Sequence, residues 1–291
     1  MKKSKLFSLA IVGSSLLFTS CGSEPTIDEG LQMETIKTIE TVADDLFESP
    51  DVDYHLPSAL QVASIFKKSG MKFNASSMNT TENAVNYISS ASQMLNFGVY
   101  SADIAYCVTN SQMNEARELI TVIQKLADSQ GMSAVFDNKD LIDRFNNSLE
   151  LEDSIEYVMV EIHERTEEYL EENDMMHTSA IHYAGAWIEG MYLGIFDYEN
   201  NPDNKNIGAQ ITEQMEILKN IIKGLKDPKN AEVNLESTIN GLDKIYTTYN
   251  NFESVKTYTN DDNAIELSLT TEEFSEISDL INNIRAQVVK G

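Results

Sequence analysis

The chain has 291 residues, 42% of them hydrophobic, and 47 acidic side chains against 21 Lys and Arg, for a formal charge of −26. That apolar content excludes a disordered chain, and the acidic excess excludes nucleic acid and repels anionic lipid headgroups. Five prolines and thirteen glycines are few for this length. Long helices tolerate such a composition better than a turn-rich β-fold does.

The first twenty residues have a recognisable order. Lys2, Lys3 and Lys5 make a positive start, Leu6 to Phe18 a mostly apolar core, and Thr19 and Ser20 a small-residue end just before Cys21. A membrane span needs about 20 apolar residues, so this reads as a secretory signal over residues 1–20. The run Phe18-Thr19-Ser20-Cys21 resembles the lipobox of bacterial lipoproteins, with Phe where Leu is usual. The resemblance implies that Cys21 becomes the first mature residue, alkylated by diacylglycerol and acylated with a palmitate-type chain. Several acyl chains hold a protein in a bilayer where one holds weakly, at roughly 0.8 kcal/mol per buried methylene. Cys107 is then left alone, and a disulfide framework is excluded. Gly22 is not the Asp that favours inner-membrane retention, so the resemblance points to the outer membrane. Cleavage removes three lysines and no acid, which moves the charge from −26 to −29.

Residues 22–28 form a polar tether, and 29–291 are read as a single helical domain. Ile36, Ile39, Ala43 and Leu46 recur at helical spacing and predict a helix over 29–48. "SPDVDYHLPS" breaks it, and "SALQVASIFKKSG" is a short helix with Gly70 past its end. A long helix is predicted from about 82 to 108. An amphipathic one follows over 113–130 on Ala116, Leu119, Ile120, Ile123 and Leu126, with Gly131 as its stop. Further helices are predicted over 138–149, 151–173, 177–199, one on Ile211, Met215, Leu218 and Ile221 closing near Pro228, then 231–254 and 271–289. Thr270 and Glu273 fit a capping box for the last. The class is all-α, a bundle of about eight to ten helices.

"GVYSADIAY" from Gly98 and "GMYLGIFDY" from Gly190 share Gly and two Tyr at equal spacing, 92 residues apart. The echo fits two related helical hairpins, and it also fits chance. "LPSALQVASIFKKSG" and "FGVYSADIAY" are similar to segments of uncharacterised, mostly helical lipoproteins of Bacteroidetes-type bacteria, over about residues 50–130. That resemblance implies fold and compartment and brings no chemistry.

Candidate chemistry is sparse. Glu150 to Asp174 holds eleven acids with one His. However, no Glu stands three before a His as di-iron helices require, and Glu161 and His163 point about 200° apart on a helix. A solvated acidic face is the better reading. "DYENNPDNKN" starts like a calcium loop but has Pro202 at position six and Gly208 at position twelve. His177 and His182 are five apart, not four. The expectation is therefore no catalysis, no cofactor and no metal.

The informative residues are polar ones within two apolar helices. Asn96, Tyr100, Asp103 and Cys107 advance by four, three and four, and so share a face; His182, Ala186 and Glu189 share another. A buried carboxylate costs several kcal/mol without a partner, so Asp103 needs a donor from a neighbouring element. The alternative is a ligand pocket using Asp103, Tyr100, Trp187 and Glu189 between the helices around Gly98 and Gly190. The leading expectation is a non-catalytic, lipid-anchored cell-envelope protein. It would bind the membrane through Cys21 and an envelope protein or small ligand of unstated identity.

Overall fold

The computed structural model describes residues 58–136, 141, 143–145, 152–260 and 267–291, the side chains of 152–156 and 260 excepted. Cys21, the tether and the helix expected over 29–48 lie outside the described residues. Among those that are described, ten helices run to seven residues or more and no strand occurs. No described helix is long and apolar enough to cross a membrane.

Helix α1 (Ala59–Lys68) starts at a capping box in which Ser58 and Gln61 bond each other's backbone N–H groups. Two 3₁₀ turns, 75–77 and 81–86, precede α2 (Ser90–Thr109). The expected start near 82 is thus corrected to 90. Ser89 caps α2 by accepting the Ser92 N–H, and Tyr87 turns into the core just before it, so the chain between them is committed to tertiary contacts rather than a helix. Helix α3 (Met113–Ser129) ends before Gly131 at positive φ, and α4 (Ser133–Phe136) is one turn. Of the helix expected over 138–149, residues 141 and 143–145 are helical. Helix α5 is Glu152–Glu172 and α6 is Ser179–Asn200.

The helix expected to close near Pro228 is two helices, α7 (Lys205–Gln214) and α8 (Leu218–Leu225). The break has a tertiary cause. The Trp187 indole N–H donates to the Gln214 carbonyl at 3.1 Å and the Tyr249 hydroxyl to that of Thr212 at 3.4 Å. Those carbonyls are drawn toward side chains of other elements, and the backbone passes 215–217 by i→i+3 turns. The helix expected over 231–254 is likewise α9 (Glu236–Asn251) and α10 (Glu253–Asn260), separated by a buried, extended Phe252. Helix α11 (Thr271–Lys290) begins with the expected Thr270–Glu273 capping box.

Helices α2 and α6 are buried almost all round and lie side by side, as apolar helices must. Helix α2 divides its faces between two cores. Leu95, Val99 and Tyr106 join the core that α6 shares with α7, α8, α9 and α11. Phe97, Tyr100, Ile104 and Val108 join the core built on α3, α4 and α5. The acidic helix α5 buries Val158, Ile162 and Leu170 and exposes Glu164, Glu168, Glu171 and Glu172, a solvated face over an apolar stripe.

Glycine sets the α2–α6 approach. A methyl carbon placed on Gly98 would sit 1.7 Å from the His182 carbonyl oxygen, and one on Gly185 would sit 1.8 Å from that of Leu95. The two backbones touch at both points. Gly98, Gly190 and Gly194 all face a close neighbour, but not the same one. Gly98 meets α6 opposite Gly185, while Gly190 and Gly194 receive Val62 and Phe66 of α1. The two copies of the Gly–Tyr echo therefore do different work.

Candidate functional site

The chemistry of the molecule concentrates where α2, α6 and α11 meet. Asp103 on α2 and Glu189 on α6 are both 0% exposed. Arg285 on α11 grips Glu189 with two parallel bonds, Nε to Oε2 at 3.0 Å and Nη2 to Oε1 at 2.9 Å, and its side chain is 14% exposed. A planar guanidinium fits this fork–fork geometry as an ammonium does not. The guanidinium carbon lies 4.3 Å from the centre of the Tyr192 ring, which favours the cation further. Nη2 also reaches the Ser77 carbonyl at 3.4 Å.

Asp103 has one oxygen bonded and one not. Its Oδ2 accepts the Asn79 backbone N–H at 3.0 Å. Its Oδ1 has no hydrogen-bond donor among the described residues, and the Asp103 carboxyl interacts with that of Glu189. Two carboxyls can bond each other only when one carries a proton. Burial first, and then the Glu189 charge, push Asp103 well above the usual carboxylate range, against the Asn79 N–H and Arg285. Burial also raises Glu189, but Arg285 opposes it most strongly. The proton therefore sits on Asp103, Glu189 is paired with Arg285, and the cluster is neutral overall. This is the arrangement a low-dielectric core accepts.

Around the cluster, side chains catch backbone ends. Tyr100 donates to the Thr80 carbonyl at 2.8 Å. Tyr87 donates to the Val289 carbonyl at 3.1 Å and accepts from Asn79 Nδ2 at 3.0 Å. Asn96 Nδ2 donates to the carbonyls of Ser92 and Val288, both at 2.9 Å. Two of the carbonyls that α11 leaves unpaired at its C-terminal end are thus satisfied from α2 and the loop before it.

Of the four residues suggested for a pocket, Asp103, Tyr100 and Glu189 come together. Trp187 does not: it lies two residues from Glu189 on the same helix, about 200° round, and faces α7. Arg285 was not anticipated. The available signal was a lone cation one turn past Ile281 within the apolar stripe Ile277–Ile281–Ile284–Val288. Asn79 and Tyr87 carried no periodic signal.

The remaining candidates have local roles. His182 is buried, bonded to Gln130 Oε1 at 2.8 Å and packed on Phe97, and burial pushes it down to about 4, so it is neutral. Glu161 turns to Arg144 and Arg165 while His163 pairs with Glu167. Asp197, buried in the last turn of α6, accepts the Lys72 N–H at 3.1 Å and Asn201 Nδ2 at 3.2 Å. Among the described residues no three His, Cys, Asp or Glu are grouped as metal ligands. Cys107 is buried with its sulfur 3.3 Å from that of Met78, and burial pushes its thiol up. In the Cys21→Ser chain, Cys107 is expected to resist a thiol reagent until denaturant is added. Stoichiometric labelling within minutes in buffer would mean that α2 opens readily.

No protein-family model matches the chain, and neither a curated protein nor a solved structure matches it.

Proposed function

We propose that the protein is a lipid-anchored component of the bacterial cell envelope, held in the outer membrane through Cys21, with a binding or structural role and no catalysis. The observation that carries the anchor is the order of Lys2, Lys3 and Lys5, an apolar core, Thr19-Ser20 and then Cys21, followed by Gly22 rather than Asp. The non-catalytic part is supported by the use the fold makes of its strongest chemistry. Asp103 and Glu189 are both sealed from solvent, Asp103 Oδ2 accepting the Asn79 N–H and Glu189 gripped by Arg285, so neither carboxyl faces a substrate. A small-molecule pocket between α2 and α6 gains no support from the packing. The backbones touch at Gly98, and the cavity beside Gly190 is about 10 Å³, the least that admits a single water.

The test is Cys21→Ser in the producing cell. The variant is expected to lose incorporation of a fatty-acid analogue and either to leave the membrane fraction or to accumulate as uncut precursor. Membrane-bound, analogue-labelled protein in that variant would sink the proposal.

A further inference from the structure

The charge of this protein is not evenly spread. Four of its 21 basic residues, Lys219, Lys223, Lys226 and Lys229, fall within eleven positions on and just after α8, and all four are exposed. Two of them are neutralised within the chain, Lys226 by Asp243 at 2.7 Å and Lys229 by Asp174 at 2.9 Å. Lys219 and Lys223 have no carboxylate at ion-pair distance among the described residues. They stand one helical turn apart on one face, with ammonium groups of adjacent reach.

That face is one wall of a groove of about 550 Å³ between α8 and α9. The volume is within the 300–1,000 Å³ range of small-molecule sites. Its floor is apolar: Ile222 is buried beneath it, Pro228 closes one end, and the half-buried ring of Tyr246 forms the opposite wall. The paired Lys226 and Asp243, and Asp227, which accepts the Lys229 backbone N–H, complete the lining. The aliphatic stems of the two lysines extend the apolar lining while their charges stand at the rim. An apolar trough with two uncommitted cations at its lip matches a molecule with the inverse layout.

We propose that this groove binds a soluble amphiphilic anion, its hydrocarbon or ring body on Ile222, Pro228 and Tyr246 and its carboxylate or sulfonate between Lys219 and Lys223. The occupant is a free molecule rather than a bilayer surface. A protein of formal charge −26 is repelled by an anionic membrane, whereas a small anion meets only the groove, where three lysines face two carboxylates, Asp227 and Asp243. The lysines' geometry also suits such a ligand: two rotatable point charges accept a single anionic head without demanding a planar bidentate partner. The site does not depend on the lipid anchor, so its failure would leave the envelope proposal standing.

The experiment uses the full chain carrying Cys21→Ser, which removes the need for detergent. The probe is 1-anilinonaphthalene-8-sulfonate, followed by fluorescence. Against this background, Lys219→Gln/Lys223→Gln should weaken the saturable binding by roughly threefold or more, and the loss should shrink as salt is raised. Lys219→Arg/Lys223→Arg should retain it, and Tyr246→Ala should weaken it where Tyr246→Phe does not. Decanoate should displace the probe, and octyl glucoside at equal concentration should not. Circular dichroism checks that each variant keeps the helical content of the parent. Unchanged affinity in the double Gln variant, or equal displacement by the neutral amphiphile, overturns the proposal. So does lysine-dependent binding to phosphatidylglycerol vesicles that decanoate fails to compete, because it would make the patch a membrane contact.

Discussion

Gly98→Ala is expected to be among the most damaging single-methyl additions to this protein, with a loss of about 3 kcal/mol or more in urea unfolding. Two effects oppose each other. Alanine is favoured over glycine in a helix by about 0.5–1 kcal/mol. Against that gain, the new carbon would lie 1.7 Å from the His182 carbonyl oxygen and 2.7 Å from the Ala186 nitrogen. Overpacking a core commonly costs 1–3 kcal/mol, when side chains can shift to make room. Here the obstacle is backbone, so relief requires α2 and α6 to separate along the contact on which both cores are built. Gly190→Ala is the control. Its carbon would meet Val62 Cγ1 at 3.3 Å, a side-chain atom able to give by a few tenths of an ångström. That substitution should stay within about 1 kcal/mol of the parent in either direction. Gly190→Leu, which drives a whole side chain toward α1, should cost roughly 1–3 kcal/mol. Equal midpoints for Gly98→Ala and the parent would mean that the two central helices do not touch there.

The same contact shows what could be read from the chain and what could not. Small residues on one stripe of an apolar helix announce a close neighbour, and Gly98, Gly190 and Gly194 all have one. Gly185 carries no such signal, because it sits one position off the line of Ala186, Gly190 and Gly194 and meets Leu95 of α2 on the adjacent side. The polar faces were legible for a similar reason. Residues spaced four, three and four on a helix must align, which brought Tyr100 and Asp103 to one side of α2. Periodicity carries no information on which distant element answers them. Arg285 lies 96 residues from Glu189, and nothing local links the two. The helix breaks at 215–217 and 252 were hidden for that reason as well. They follow from bonds made by Trp187 and Tyr249 and from the burial of Phe252, all tertiary events that override local propensity.

Arg285→Met is the other substitution with a large expected effect, and its pH dependence identifies the cause. Methionine keeps much of the apolar stem, so packing beside Tyr192 is largely preserved while the charge is lost. Removing one partner of a buried ion pair costs about 3–5 kcal/mol, because the other charge stays behind without compensation. Glu189 can escape only by taking up a proton. Burial already raises its titration above the ordinary value of 4.5, and Arg285 is the strongest influence holding it down. Without that cation it moves further up. A carboxyl that titrates higher in the folded state than in the unfolded one binds more protons when folded. Its stability is whole below the unfolded value and is lost as pH rises toward the folded one. The gap between Arg285→Met and the parent should therefore be small near pH 4.5 and widen steadily to pH 8. Comparing the two proteins at each pH cancels the titration of the many surface carboxylates they share. Adding Glu189→Gln to the Arg285→Met chain should recover much of the loss at pH 8 and little at pH 4.5, since the amide removes the charge at every pH. Gln has a neighbour ready for it: protonated Asp103 can donate to the amide oxygen as it now does to the carboxylate. A gap of constant size across the pH range, unmoved by Glu189→Gln, would assign the role of Arg285 to shape and its stack on Tyr192, and would remove the charge argument from the centre of the fold.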